Sequence, residues 1–235
     1  MEYFYVPPEA IDGAHAVVEN EEFDHLTRVM RRKEGDELRI SDGAGVAYDA
    51  RIDSIAAGKA RCRITGKYPL LNEPRTRLTL AVALLKNPSR YDTVVEKGTE
   101  IGVSAFVPLL TERTIPRHER TGRWTKIALS AMKQSGRCVL PRIHPPRTFA
   151  DFVASARGTS LRFLAHEGAD AAPLTIAASP EGREIVGCVG PEGGFSAEEV
   201  AFAAAAGFQI VSLGSRRLRT ETAAILFGGL LLLET

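Results

Sequence analysis

Cysteine is scarce: Cys62, Cys138 and Cys188 stand far apart, with no paired spacing. A disulfide framework and a cysteine-rich zinc site are therefore not expected, and a reducing cytoplasm fits. The histidines His15, His25, His118, His144 and His166 show no spacing that would assemble a metal site, so no metal is expected. Long apolar runs are missing too. The C-terminal run Ala223 to Leu233 covers 11 residues, about half of the ~20 that span a bilayer, which points to a core or dimer-interface helix and no membrane partner. Met1 to Pro8 lacks a basic flank and holds few apolar residues, so export is not expected. Neither a serine nucleophile elbow nor a Cys-His pairing stands out, and there is no internal repeat.

What the chain does have is enough apolar material, 44% of 235 residues, for two domains or one large one. Its net charge of +1 conceals an asymmetry. Residues 73–150 carry 14 Lys and Arg against 6 Asp and Glu, whereas 1–72 carry 10 against 13 and 151–235 carry 6 against 10. A basic middle suits a polyanion, since phosphate neutralisation supplies much of the affinity for RNA. A solvated, arginine-rich helix surface is the competing explanation. A second cluster, Arg28, Arg31, Arg32 and Lys33, lies in the otherwise acidic leading segment.

Alternating apolar residues between Glu37 and Cys62, separated by glycine-rich turns, predict short antiparallel strands. Pro69 to Pro74 reads as a linker, after which Leu78, Leu80, Val82 and Leu84 start a second sheet. Lys86 follows that strand at its C-terminal end, where parallel sheets usually place ligands. Glu96, Lys97 and Glu100 share a helix with Val94, Val95 and Ile101, and their plainest role is surface ion pairing. Trp124, Ile127, Ala128 and Ala131 recur at helical spacing, which favours packing over base stacking for the single tryptophan.

The most informative stretches are Gly190-Pro191-Glu192-Gly193-Gly194-Phe195-Ser196 and Leu213 to Ala223. Ile185, Val186, Cys188 and Val189 form a short apolar run typical of a strand buried on both faces. Gly190 and Pro191 then turn the chain, and Gly193 and Gly194 leave room for a ligand against the main chain. Ser196 with Glu199 predicts a capping box, a helix through Ala206, and a stop at Gly207. Phe208 to Leu213 predicts the next buried strand, Gly214 the next loop, and a final helix begins at about Thr222. The order strand, loop, helix, strand, loop, helix is that of an α/β domain with parallel strands. No Lys-Ser or Lys-Thr follows the glycines and no dinucleotide pattern is present, so an adenosine moiety held by backbone groups, with Leu213 and Leu218 against the base, fits better than a cradled phosphate.

These two tracts resemble the signature motifs of the RsmE-type ribosomal RNA uridine-N3 methyltransferases, of the SPOUT class. The likeness extends to Glu96-Lys97-Gly98-Thr99-Glu100-Ile101-Gly102-Val103, Pro108, Glu112-Arg113, Gln134-Ser135-Gly136-Arg137 and Pro141. Near the N-terminus it takes in His25-Leu26, Val29, Arg31, Gly35-Asp36 and Asp42-Gly43-Ala44-Gly45. The family usually has an arginine near its start, whereas this chain reads Tyr3-Phe4-Tyr5-Val6, and the usual glycine after Lys86 is replaced by Asn87.

The resemblance implies an α/β fold: a SPOUT-type parallel sheet with a C-terminal trefoil knot over residues 75–235, preceded by a small PUA-like RNA-binding β-barrel over 1–70. It implies S-adenosyl-L-methionine as cofactor, a homodimer, and a uridine of 16S ribosomal RNA as substrate, in the assembled small subunit. The expected cofactor residues are Gly190, Pro191, Glu192, Gly193, Gly194, Leu213, Gly214, Leu218, Arg219 and Thr222. RNA contacts are expected from Arg31, Arg32, Lys86, Lys97, Arg113, Gln134 and Arg137.

Uracil N3 carries a proton that must leave before or during methyl transfer. Arg219 is the candidate for stabilising charge on the carbonyl oxygens. Glu221 is either the base or the group that orients Arg219; alternatively the two form a structural ion pair. A non-catalytic RNA-binding ribosome-assembly factor on the same fold is the other reading.

Overall fold

The computed structural model describes residues 3–115, 119–159, 161–168, 172–174 and 184–233. Two compact units divide the chain. One runs to Glu73 and takes in Leu129–Leu140, and the other comprises Pro74–Ala128 and the chain from Pro141 onward. Nothing in the sequence marks that return of Leu129–Leu140 to the leading unit.

The leading unit holds β1 (Tyr3–Tyr5), β2 (His15–Glu19), the short helix α1 (Asn20–Asp24), β3 (Glu37–Ser41), β4 (Val46–Ala56) and β5 (Lys59–Pro69). Its strands form one sheet in the order β1-β3-β4-β5-β2, antiparallel except for β1 beside β3. The strands β4 and β5, 11 residues each, are longer than the alternation predicted. Their two-residue connection, Ala57-Gly58, has φ of 49° and 74°. Positive φ at both positions is the twist-matched hairpin turn. Because β5 continues to Pro69, paired with Val46, the expected linker begins as sheet. Phe4, Val18, Leu26, Leu38, Ile40 and Ile52 form the core of this unit, each at most 1% exposed.

The second unit is built on β6 (Arg77–Ala83), α2 (Pro88–Ile101), β7 (Ala105–Leu110), α3 (Thr121–Ser135), β8 (Arg142–Ile143), β9 (Arg147–Thr148) and α4 (Phe149–Ser155). It continues with β10 (Leu161–Ala165), β11 (Ala172–Pro173), β12 (Glu184–Val189), α5 (Ala197–Ala205), β13 (Gln209–Ser212) and α6 (Thr220–Leu233). Every strand pair in its sheet is parallel, in the order β11-β13-β10-β12-β6-β7-β8, with β9 also on β7.

The helices follow their apolar spacing. In α2 the buried residues Tyr91, Val94, Val95, Gly98 and Thr99 fall on one face. Asn87 caps it through a bond from the Ser89 N–H at 3.0 Å. Trp124 is fully buried, its ring 4.5 Å from that of Tyr91, so it packs as expected. The final helix starts at Thr220, two residues earlier than predicted, and returns to the sheet through Ala224, Phe227 and Leu231. Gly187 makes room for it: a Cβ there would lie 2.8 Å from Leu231 Cδ1 and 3.0 Å from Phe227 Cε1. Among the described residues no helix is long and apolar enough to cross a membrane.

Candidate functional site

At the C-terminal ends of the neighbouring strands β13, β10 and β12 lies a cavity of about 480 Å³. That volume and that place in a parallel sheet are typical of a small-molecule site. Its walls are the loop after β12, from Gly190 to Phe195, and the loop after β13, including Leu213, Gly214, Leu218 and Arg219. Ala165, His166 and Glu167 at the end of β10 contribute a third side.

Local chemistry shapes the first loop. The Gly194 N–H closes a turn on the Pro191 carbonyl at 2.8 Å, and Gly194 itself has φ of 70°. A Cβ on Gly190 would meet the Phe195 nitrogen at 3.1 Å, so the turn closes this tightly only around glycine. Phe195 is buried against Phe149, anchoring the loop on the core. The Arg113 guanidinium reaches in from the segment after β7 and donates to the Gly193 carbonyl at 2.7 Å.

Glu199 holds two pieces together. Its Oε2 accepts the Ser196 N–H at 2.9 Å, completing the expected capping box, and its Oε1 accepts the Glu112 N–H at 2.9 Å. Glu192 in turn accepts the Lys86 N–H at 3.2 Å. The second loop turns at Gly214, φ 108°, whose N–H donates to Ser212 Oγ at 3.2 Å.

Nine of the ten expected cofactor residues line this one cavity: Gly190, Pro191, Glu192, Gly193, Gly194, Leu213, Gly214, Leu218 and Arg219. Thr222 is exposed on α6 and does not. Arg113, expected to meet RNA, lines the cavity instead. Arg90, Arg216 and Arg217 line it as well, against the carboxylates Glu167 and Glu192, so the wall is predominantly cationic. Arg90 escaped the sequence reading because about a hundred residues separate it from the glycine loops and only the topology unites them.

Glu221 is placed differently from the expectation. It does not line the cavity and does not pair with Arg219; its Oε1 lies 3.6 Å from Nε of Arg90. The first turn of α6 turns its side chain, 14% exposed, toward α2, while Arg219 one step earlier is still in the loop and exposed.

The expected RNA residues are scattered. Lys86 is exposed beyond the end of β6 and outside the cavity, and Lys97 is held between Glu96 at 2.9 Å and Glu100 at 2.8 Å. The bond to Glu100 pushes the Lys97 ammonium pKa up, and the surface ion pairing read from the sequence is what the helix forms. In the leading unit Arg31 and Gln134 are exposed and Arg32 is half-buried. Arg137 is no surface cation: its side chain is 2% exposed and donates to Glu73 at 2.6 Å. Glu73 also accepts the N–H groups of Cys138 and Val139 at 2.8 and 2.9 Å, so this is a satisfied internal ion pair. Among the described residues no group of His, Cys, Asp or Glu could hold a metal ion; His118 lies outside them.

Comparison with known proteins agrees with this site. Residues 72–232 match the RNA methyltransferase domain family and residues 18–65 the RNA methyltransferase PUA domain. Ribosomal RNA small subunit methyltransferase E of Synechocystis is 36% identical over 223 residues, covering 93% of this chain and 73% of that protein. The crystal structure of a ribosomal RNA small subunit methyltransferase E from Neisseria gonorrhoeae, bound to S-adenosyl methionine, superposes with a TM-score of 0.88 at 31% identity, covering 98% of this chain and 96% of that one. A Legionella pneumophila structure in complex with bound cofactor SAM gives a TM-score of 0.85 at 29% identity, over 98% and 96% of the two chains. The chain therefore belongs to the RNA methyltransferase family, among the RsmE-type ribosomal RNA methyltransferases.

Proposed function

We propose that this protein is an S-adenosylmethionine-dependent methyltransferase acting on N3 of a uridine in small-subunit 16S ribosomal RNA, in the assembled subunit. The observation that carries this reading is the arginine-rimmed cavity walled by the backbone of two glycine loops, in a chain whose Neisseria relative binds S-adenosyl methionine.

The residues fit that cofactor. The tight turn at Gly190 exposes main chain to a ligand, and Leu213 and Leu218 offer an apolar wall for the adenine. Bound there, S-adenosylmethionine supplies an activated methyl on a sulfonium. The chain's own residues then have to orient the uracil, exclude water and stabilise the charge that develops on its carbonyl oxygens as N3 loses its proton. Arg219, exposed in the loop before α6, is the residue assigned to that charge. Glu221, turned away onto Arg90, is not assigned as the base.

Further parts of the proposal rest on the fold. The insertion of β12 between β10 and β6, with α6 returning over Gly187, supports a C-terminal trefoil knot. Leu226, 40% exposed on the apolar α6, supports a homodimer through that helix. The PUA-like unit, with Arg31 and Gln134 exposed, is the proposed RNA-holding part, over about residues 1–70, and 75–235 the methyltransferase part. Ribosomal RNA as substrate makes the cytoplasm the site of action.

A thermal-shift titration tests the cofactor assignment. S-adenosylmethionine should raise the melting temperature and NAD should not. No response to S-adenosylmethionine would favour a non-catalytic RNA-binding assembly factor.

A further inference from the structure

We infer that Arg90 is an oxyanion-binding residue of the cavity and that Glu221 is the positioning residue that aims it. The inference rests on the proposed methyltransferase reading. The oxyanion is either the carboxylate of the cofactor's methionyl part or a phosphate of the target nucleotide.

Of the arginines that line the cavity, Arg113, Arg216, Arg217 and Arg219 are exposed, and Arg90 alone among them is set back in the wall, its side chain 34% exposed. It projects from the first turn of α2, whose start is fixed by the Asn87 cap. Glu221 fixes it from the other side. The Nε–Oε1 separation of 3.6 Å is an ion-pair distance without a hydrogen bond, and the guanidinium donates none to a described residue. All five N–H donors of a guanidinium are therefore available, enough for a fork on a carboxylate or phosphate.

The carboxylate is also incompletely used. Glu221 is 14% exposed and its Oε2 is buried with no hydrogen-bond partner. A buried, half-satisfied acid is costly on its own, and it is explained if its task is to hold one cation in place at a binding wall. A purely structural pair would be expected to close into a bidentate contact, which this one does not.

The experiment compares wild type, Arg90→Ala, Arg90→Lys and Glu221→Gln by calorimetry with S-adenosylmethionine and with its decarboxylated analogue, and by methyl transfer to small ribosomal subunits. Circular dichroism checks that each variant is folded, and Glu221→Gln preserves shape. If the carboxylate is the ligand, Arg90→Ala weakens S-adenosylmethionine binding roughly ten- to a hundredfold and leaves the analogue unchanged. If a phosphate is the ligand, cofactor affinity holds and KM for subunits rises by a similar factor. In both cases Arg90→Lys recovers only part of the loss, and Glu221→Gln acts in the same direction with a smaller effect that vanishes once Arg90 is alanine. Folded variants with wild-type affinity and wild-type KM would overturn the inference. Wild type that fails to bind S-adenosylmethionine would sink the methyltransferase reading itself.

Discussion

Arg113 and Gly193 are joined by a 2.7 Å hydrogen bond from guanidinium to carbonyl, which ties the segment after β7 to the glycine loop after β12. The same arginine limits what Gly193 can become, since a Cβ there would stand 3.3 Å from its Cδ. One contact thus sets both the position and the clearance of the cavity floor.

Arg113→Ala should loosen that loop without unfolding the protein. A charged hydrogen bond is worth about 1.5–3 kcal/mol, and solvent competes at this exposed site, so S-adenosylmethionine affinity should fall about three- to tenfold. Calorimetry on the folded variant reads it directly; an unchanged Kd would mean the loop holds its shape alone.

Gly193→Val and Arg219→Ala should fail in different ways. The valine occupies space beside Arg113 and should remove both cofactor binding and methyl transfer. Arg219→Ala should retain binding while turnover drops about a hundredfold, the scale of losing one charge-stabilising donor. Normal methylation by Arg219→Ala would refute its assigned role.

Glu199 serves the cap of α5 and the Glu112 N–H together, at 2.9 Å each. Glu199→Ala should therefore cost about 1–2 kcal/mol, the range of a lost cap. Urea unfolding should show the midpoint move with an unchanged m-value.

How much of this could be read from the chain depended on range. The capping box at Ser196 and Glu199, the glycine loops and the packed Trp124 are local or helically periodic, and they stand where the spacing put them. Strand order is not a local property. That β12 lies between β10 and β6, and that α2 brings Arg90 to a cavity formed a hundred residues later, follows from long-range packing that periodicity does not encode. Arg137 shows the same limit from the opposite side. Next to polar Gln134 and Ser135 it looks like a surface cation, and only Glu73, 64 positions earlier, explains its burial.

Arg137→Ala should destabilise strongly, because it leaves Glu73 buried without its counter-charge, at a cost of about 3–5 kcal/mol. Chemical denaturation measures the loss. Folded protein should bind subunits with wild-type affinity, and a specific loss of RNA affinity would restore the RNA role read from the sequence.

The thiols offer a pH test. Burial pushes Cys62 up to about 12 and Cys138 up to about 11. An unfolded thiol ionises near 8.5, so between that value and the folded pKa the native state binds more protons than the unfolded one, and stability falls as pH rises. At pH 8 a thiol reagent should label none of Cys62, Cys138 and Cys188 in the native protein, where all are buried. All three should react after denaturation, and fast native labelling would contradict that burial.

The most direct test is transfer of radiolabelled methyl from S-adenosylmethionine to small ribosomal subunits taken from cells lacking this protein, with the product nucleoside identified by mass spectrometry. The account predicts label in 16S ribosomal RNA as N3-methyluridine. Label in a different nucleoside, or no label from protein that binds the cofactor, would contradict it.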